Sequence, residues 1–314
     1  MTTNPKHVVL GGTGVIGRET VSTLVAAGLD TVSVARNAGR ADGAEHRSAD
    51  LLDADATRRA VDGAGTVYLT AGLPYSARTW EREWPRVLAN VIDASRRAGA
   101  HLVYFDNVYA YGPTSGPMVE STPLHPTSRK GRLRARLLET LADASADGSL
   151  VVTIARSADF YGPGASTSVF NGYVADRVAA GKDPIWLLDA SMPHSMTYTP
   201  DAARALVTIG TDPRAAGRTW HVPTADPLTG ADYMELATDG RSRGGTMSLA
   251  TLRMGSLFVG AARESLELAY QQRGPYVFDS SAFESAFGVA PTPYDEGIAA
   301  TIASARGEST VATR

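Results

Sequence analysis

The sequence predicts an α/β fold, a doubly wound parallel sheet covered by helices on both faces. Three observations lead there. Short unbroken apolar runs recur through the first half of the chain, stretches of helical periodicity separate them, and a glycine-rich loop joins the first run to the first helical stretch. Strands buried on both faces read as continuous apolar runs rather than alternating ones, and helices between them supply the crossovers that parallel strands require.

The runs, in order, are "HVVL" at 7–10, "TVSVAR" at 31–36, "TVYLTAG" at 66–72, "HLVYF" at 101–105 and "LVVTIAR" at 150–156. Between them lie "VIGRETVSTLVAAG", "DADATRRAVDG", "WEREWPRVLANVIDASRRAG" and "LRARLLETLADASADG", ending in glycine as helix C-termini often do. After residue 164 the rhythm loosens. Residues 168–181 read as a helix and "PIWLL" as a strand; "TPDAARALVTIG" is a helix opened by Thr-Pro-Asp, and "RTWHVP" is a further strand. Met247, Leu249, Leu252, Met254, Leu257, Phe258 and Tyr270 recur at roughly helical spacing, as core packing or, alternatively, as an apolar pocket wall.

Bulk composition excludes several functions. The net charge is −3 and no domain-wide basic field exists, so nucleic acid is not an expected partner. No apolar run approaches the ~18 residues that span a bilayer, and the N-terminus carries no secretory pattern, so a cytoplasmic protein with no membrane partner is expected. The absence of cysteine removes disulfides, thiolate catalysis and cysteine-type zinc sites. The histidines show no metal-ligand spacing, and no metal is expected.

The loop "VVLGGTGVIGRE" carries the first chemistry. Gly11, Gly14 and Gly17 stand between a strand and a helix, the context in which glycines allow a tight turn and close backbone approach. The following helix N-terminus, with Thr13, Val15 and Ile16, then offers free N–H groups to a pyrophosphate. At the end of the second strand an acidic residue would accept the ribose hydroxyls of NAD; this chain has Arg36 and Asn37, with Arg40 nearby. A guanidinium grips a 2′-phosphate that a carboxylate would repel, so NADPH is the expected cofactor, ahead of NADH.

These motifs, with "SADLLD" at 48–53, "VYLTAG", "NVYAYGP" and "ARSADFYGPG", resemble the extended short-chain dehydrogenase/reductases, the superfamily of the NAD-dependent epimerases and dehydratases. The resemblance implies a Rossmann domain over residues 1–156, rejoined by about 195–225. A smaller C-terminal substrate-binding domain follows from 157–194 and 226–305, with a tail at 306–314. It implies that Asp50 and Leu51 flank the adenine, that Ala71 and Gly72 line the cofactor ribose, and that "SADFYGPG" borders the nicotinamide.

The departures from the family pattern are chemical. The family's Ser or Thr falls on Asn107, its Tyr on Lys130 and its Lys on Arg134, within "PTSRKGRLR". Asn107 can orient a carbonyl but has no useful acidic proton, and Arg134 is permanently charged. Lys130, one of three lysines in the chain, is an ammonium that can protonate a developing alkoxide, or a contact for cofactor ribose and phosphate. Alternative proton sources are a water or a substrate hydroxyl, or one of Tyr109, Tyr111, Tyr161 and Tyr198. An NADPH-dependent ketoreductase acting on a small-molecule ketone, bulky and aromatic, is the leading expectation, because hydride delivery tolerates loss of the triad better than epimerisation does. A nucleotide-sugar epimerase or dehydratase and a non-catalytic NADP-sensing regulator are the competitors.

Overall fold

The structure, a computed structural model, describes residues 5–37, 43–256 and 260–307. Its strands are β1 (Lys6–Leu10), β2 (Thr31–Ala35), β3 (Glu45–Ser48), β4 (Ala64–Leu69), β5 (His101–Asn107), β6 (Val152–Ser157), β7 (Asp159–Tyr161), β8 (Ile185–Leu187), β9 (Pro193–His194), β10 (Met196–Tyr198), β11 (Thr219–His221), β12 (Leu228–Thr229) and β13 (Gly245–Met247). Seven form one parallel sheet in the order β11-β6-β5-β4-β1-β2-β3. The chain winds outward from β1 to β3, then crosses back to β4 and winds the other way. That reversal opens a crevice beyond the carboxyl ends of β1 and β4, where such sheets bind ligands.

The helices are α1 (Val15–Ala26), α2 (Ala54–Val61), α3 (Ala77–Ala98), α4 (Arg129–Ser145), α5 (Asp176–Ala179), α6 (Thr199–Thr211), α7 (Gly230–Ala237), α8 (Leu249–Ser256), α9 (Gly260–Leu266), α10 (Ser281–Phe287) and α11 (Tyr294–Ala305). Alternation along β1 assigns its side chains to two cores. Val8 and Leu10 join Trp84, Leu88, Leu133 and Leu137 under α3 and α4, while Val9 joins Leu24, Leu206, Ile209 and Phe283 under α1, α6 and α10. Each such side chain, fully buried, contributes about 1.5–3 kcal/mol.

β3 was not visible as a strand in the sequence. Its residues, "EHRS", are polar because the strand is the sheet edge, and Arg47 ties it down by donating to the carbonyls of Ala60 and Asp62. Beyond β6 a third, aromatic core gathers Tyr161, Phe170, Trp186, Tyr233 and Tyr294. Three two-stranded pairs frame the chain here: β7 with β10, β8 with β13 and β9 with β12. β11 returns as the edge strand beside β6, and α6 lies against α1. Of the Met-containing segment, Leu252 is buried and Met254 is exposed; Leu257 and Phe258 lie outside the described residues. Among the described residues no helix is long and apolar enough to cross a membrane, and no cluster of side chains could hold a metal ion.

Candidate active site

The glycine loop forms a cradle that side chains would fill. Gly11 has φ +92°, and a Cβ there would lie 2.5 Å from the Ala71 Cα; one on Gly17 would lie 2.1 Å from the Gly11 carbonyl oxygen. Gly14 is the N-cap of α1 and supplies no side-chain cap, so the first N–H groups of a twelve-residue helix stay open at a surface where Thr13 and Gly14 are exposed. These are the donors a pyrophosphate takes, and the residues present fit a dinucleotide. Val15, Ile16 and Gly17 follow in the first turn, with Ile16 and Gly17 packed inward.

The neighbouring strand ends converge on the same crevice. Ser48 donates to the Arg36 carbonyl at 3.0 Å, which draws the ends of β2 and β3 together. Arg36 and Asn37 are exposed there, and Asp50 and Leu51 follow β3, the Leu51 carbonyl accepting from Asn90 at 2.8 Å. Ala71 and Gly72 stand at the end of β4 against Gly11. Arg40 lies outside the described residues.

At the end of β5 the Asn107 side chain accepts from the Tyr109 N–H at 3.1 Å and so caps the turn that follows. α4 starts where "PTSRKGRLR" suggested, with Ser128 accepting from the Gly131 N–H at 2.9 Å. Lys130 is 1% exposed and points at α9. It donates to the Glu264 carbonyl at 2.9 Å and to the Glu267 carboxylate at 2.8 Å, with a third bond to the Glu264 carboxylate at 2.5 Å. Its ammonium also lies 4.4 Å from the centre of the Tyr75 ring. An ammonium has three N–H donors, and all three are engaged. Partial burial works to raise the Glu264 pKa, and the hydrogen bond and charge of Lys130 overcome it, so that carboxyl is held below its ordinary value.

One turn on, Arg134 is turned into the interior. It donates to the Tyr104 phenol, sits 3.7 Å from Asp106 and stacks over Trp80 and Trp84. Asp106 accepts from Arg156 as well, at 3.1 Å, so one buried carboxylate serves two buried guanidinium groups. Arg134 is therefore a core cation in this geometry, and Lys130 is the member of the pair nearer the cleft.

Of the four tyrosines the sequence offered, Tyr111 donates to the buried His221, Tyr161 and Tyr198 pack in the aromatic core, and Tyr109 faces Tyr75 with the two oxygens 3.4 Å apart. Sequence reasoning missed three groups here. Glu264 on α9 and Glu267 just beyond its end show no motif. Asp159 was read only within the stretch bordering the nicotinamide, and no sequence signal joined it to His194; they meet at 3.1 Å across 35 residues of chain.

A parallel sheet with a glycine cradle at its crevice defines a dinucleotide-binding fold. The chain belongs to the NAD dependent epimerase/dehydratase family, whose model matches residues 7–222. It is 28% identical over 242 residues to a 3-diazoavenalumate denitrifying reductase from Streptomyces sp., covering 72% of this chain and 78% of that protein. It is 29% identical over 196 residues to a dTDP-6-deoxy-L-talose 4-dehydrogenase (NAD(P)(+)) from Kitasatospora kifunensis, covering 57% of this chain and 60% of that one. The solved UDP-N-acetylglucosamine 4-epimerase from Bacillus cereus superposes with a TM-score of 0.78 over 98% of both chains at 17% identity, a likeness of fold.

Proposed function

We propose that this protein is an NADPH-dependent ketoreductase that reduces a carbonyl of a bulky aromatic polyketide, angucyclinone-like in size, in the biosynthesis of an antibiotic or related secondary metabolite. In this reading the α1 N-terminus takes the pyrophosphate, Asp50 and Leu51 the adenine, Ala71 and Gly72 the ribose, and Arg36 with Asn37 and Arg40 the extra phosphate. The bound cofactor supplies hydride. The protein holds the ketone beside it.

The observation that carries this reading is the engagement of Lys130. With its three donors committed to Glu264 and Glu267, the position the resemblance assigns to the family's acid holds a group that organises the cleft rather than one free to give up a proton. Asn107 has its carbonyl oxygen tied to the backbone and keeps an amide N–H₂ that can orient a ketone. The proton then comes from water or from a hydroxyl of the substrate, and catalysis rests on positioning. Proton abstraction from carbon, which epimerisation and dehydration need, has no obvious base at these three positions.

A second reading draws on the same observation. The Streptomyces relative is named for a diazo substrate, and hydride addition to a cationic N≡N group, with loss of dinitrogen, requires no acid from the protein. Loss of nicotinamide absorbance with a panel of polycyclic aromatic ketones, an aryl diazo compound and a nucleotide-sugar ketone tests both readings. NADPH oxidation with the aromatic ketones is expected. Turnover of the nucleotide sugar alone would overturn the first reading, and tight NADPH binding without turnover of any compound would leave the regulator.

A further inference from the structure

β6 ends at Ser157, and Asp159 follows just beyond the carboxyl edge of the sheet, next to the end of β5 and one strand from that of β4. Asp159 faces no lysine or arginine at ion-pair distance among the described residues. Its Oδ2 accepts from His194 Nε2 at 3.1 Å; its Oδ1 has no hydrogen-bond partner among them, and the side chain is 29% exposed. His194 is itself held rigidly. It stacks on Tyr276 with centroids 4.3 Å apart, meets Trp186 edge-on at 5.8 Å, and its carbonyl accepts from the Tyr233 phenol at 2.7 Å.

Four phenols feel the charge of this carboxylate. Tyr75, Tyr109, Tyr270 and Tyr276 are all held above the ordinary tyrosine pKa, first by burial, and the charge of Asp159 opposes the ionisation of every one of them. The Tyr270 hydroxyl is buried without a partner. Cavities of about 510 and 340 Å³ open beside Tyr270, the larger lined also by Leu249, Leu266, Arg253 and Glu267 and the smaller by Tyr276, Met118 and Pro113, with the exposed Arg273 lining both. The flat apolar wall of the smaller cavity suits an aromatic ring. A carboxylate oxygen that a ligand covers must be given a donor or it loses its water without compensation, and an anion beside it adds repulsion.

We propose that Asp159, oriented by His194, takes a hydroxyl of the substrate, so that the site selects aromatic ketones bearing a free phenol over their methyl ethers and over nucleoside diphosphates. This deepens the ketoreductase reading and rests on it for the word ketone, but its test reads binding rather than turnover, so the two can fail separately. The full chain loaded with NADP+ is titrated with 2-hydroxyanthraquinone, with 2-methoxyanthraquinone and with UDP, below the pH at which the probe's phenol ionises. The hydroxy compound is expected to bind at least ten-fold more tightly than the ether and than UDP, and Asp159→Asn to reduce the preference over the ether to two-fold or less. Equal affinity of the two anthraquinones for the wild-type protein, an undiminished preference in Asp159→Asn, or tighter binding of UDP overturns the proposal. The wild-type comparison needs no variant, and Asp159→Ser repeats the second arm should Asp159→Asn fail to fold.

Discussion

Two cations four residues apart on α4 have separate fates. Lys130 is committed to the carboxylates of Glu264 on α9 and Glu267 just beyond it, and Arg134 to Tyr104, Asp106 and two indoles. Lys130→Met is expected to lower kcat only several-fold while loosening α9. The partner carboxylates are each 22% exposed, so the stability cost lies below that of a fully buried pair, at about 1–3 kcal/mol. A thermal melt run beside steady-state kinetics checks both; a hundred-fold fall in kcat with an unshifted melt would return Lys130 to the role of proton donor. Arg134→Leu leaves Asp106 with Arg156 alone, and a denaturant titration should show a loss of about 3 kcal/mol. If Arg36 holds the 2′-phosphate as proposed, Arg36→Ala should raise the KM for NADPH about ten-fold or more and that for NADH by less than about two-fold. At this scale the sequence singled out Asn107, Lys130 and Arg134, the positions on which the resemblance to the family places its triad. It could not display where they point, because Glu264 and Glu267 come from 134 and 137 residues away.

The elements were legible in proportion to how deeply they are buried. β1, β2, β4, β5 and β6 are sandwiched between helix layers and announce themselves as apolar runs; β3, at the sheet edge, has a polar sequence and did not. α1 was legible through its loop, where the glycines leave a chemical trace. Gly17→Ala sets a methyl group against the Gly11 carbonyl oxygen, at 2.1 Å before any relaxation, and the loop has to move. A fluorescence titration with NADPH should show affinity reduced by more than about ten-fold, near or above 1.4 kcal/mol; unchanged affinity would mean that the cofactor does not lie on this turn. The segment carrying α8 and α9 was ambiguous between core and pocket wall because it is both, with Leu252 and Leu268 buried and Glu264 and Glu267 closing on Lys130.

At the scale of the whole molecule, a polar seam beside the small cluster of Val108, Tyr111, Met118, Tyr276 and Phe278 links the sheet to the C-terminal segments. His221 on β11 is central to it. It donates to the Asp279 carbonyl at 2.7 Å, accepts from Tyr111 at 2.7 Å and stacks on Phe278 at 3.9 Å. Burial, with the nearby Arg156 guanidinium, pushes its pKa down to about 3. Above pH ~6.5 the imidazole is neutral folded and unfolded, and pH has no effect through it. As pH falls from there toward 3 only the unfolded chain takes up the proton, so the folded state loses about 1.4 kcal/mol per unit. Urea titrations at pH 7 and pH 5 should show this loss, and His221→Gln should flatten it; equal slopes in both proteins would remove His221 as the cause. The seam was invisible in the sequence, where His221 read as one scattered histidine, because its partners lie 58 and 110 residues away.

NADPH carrying deuterium at the transferred C4 position, supplied with an aromatic ketone, tests the proposed reduction most directly. Deuterium is expected at the carbinol carbon of the product, one per cofactor oxidised, with wild-type protein and with Lys130→Met alike. Label that stays on the cofactor with no net oxidation, or transfer that Lys130→Met abolishes, would contradict it.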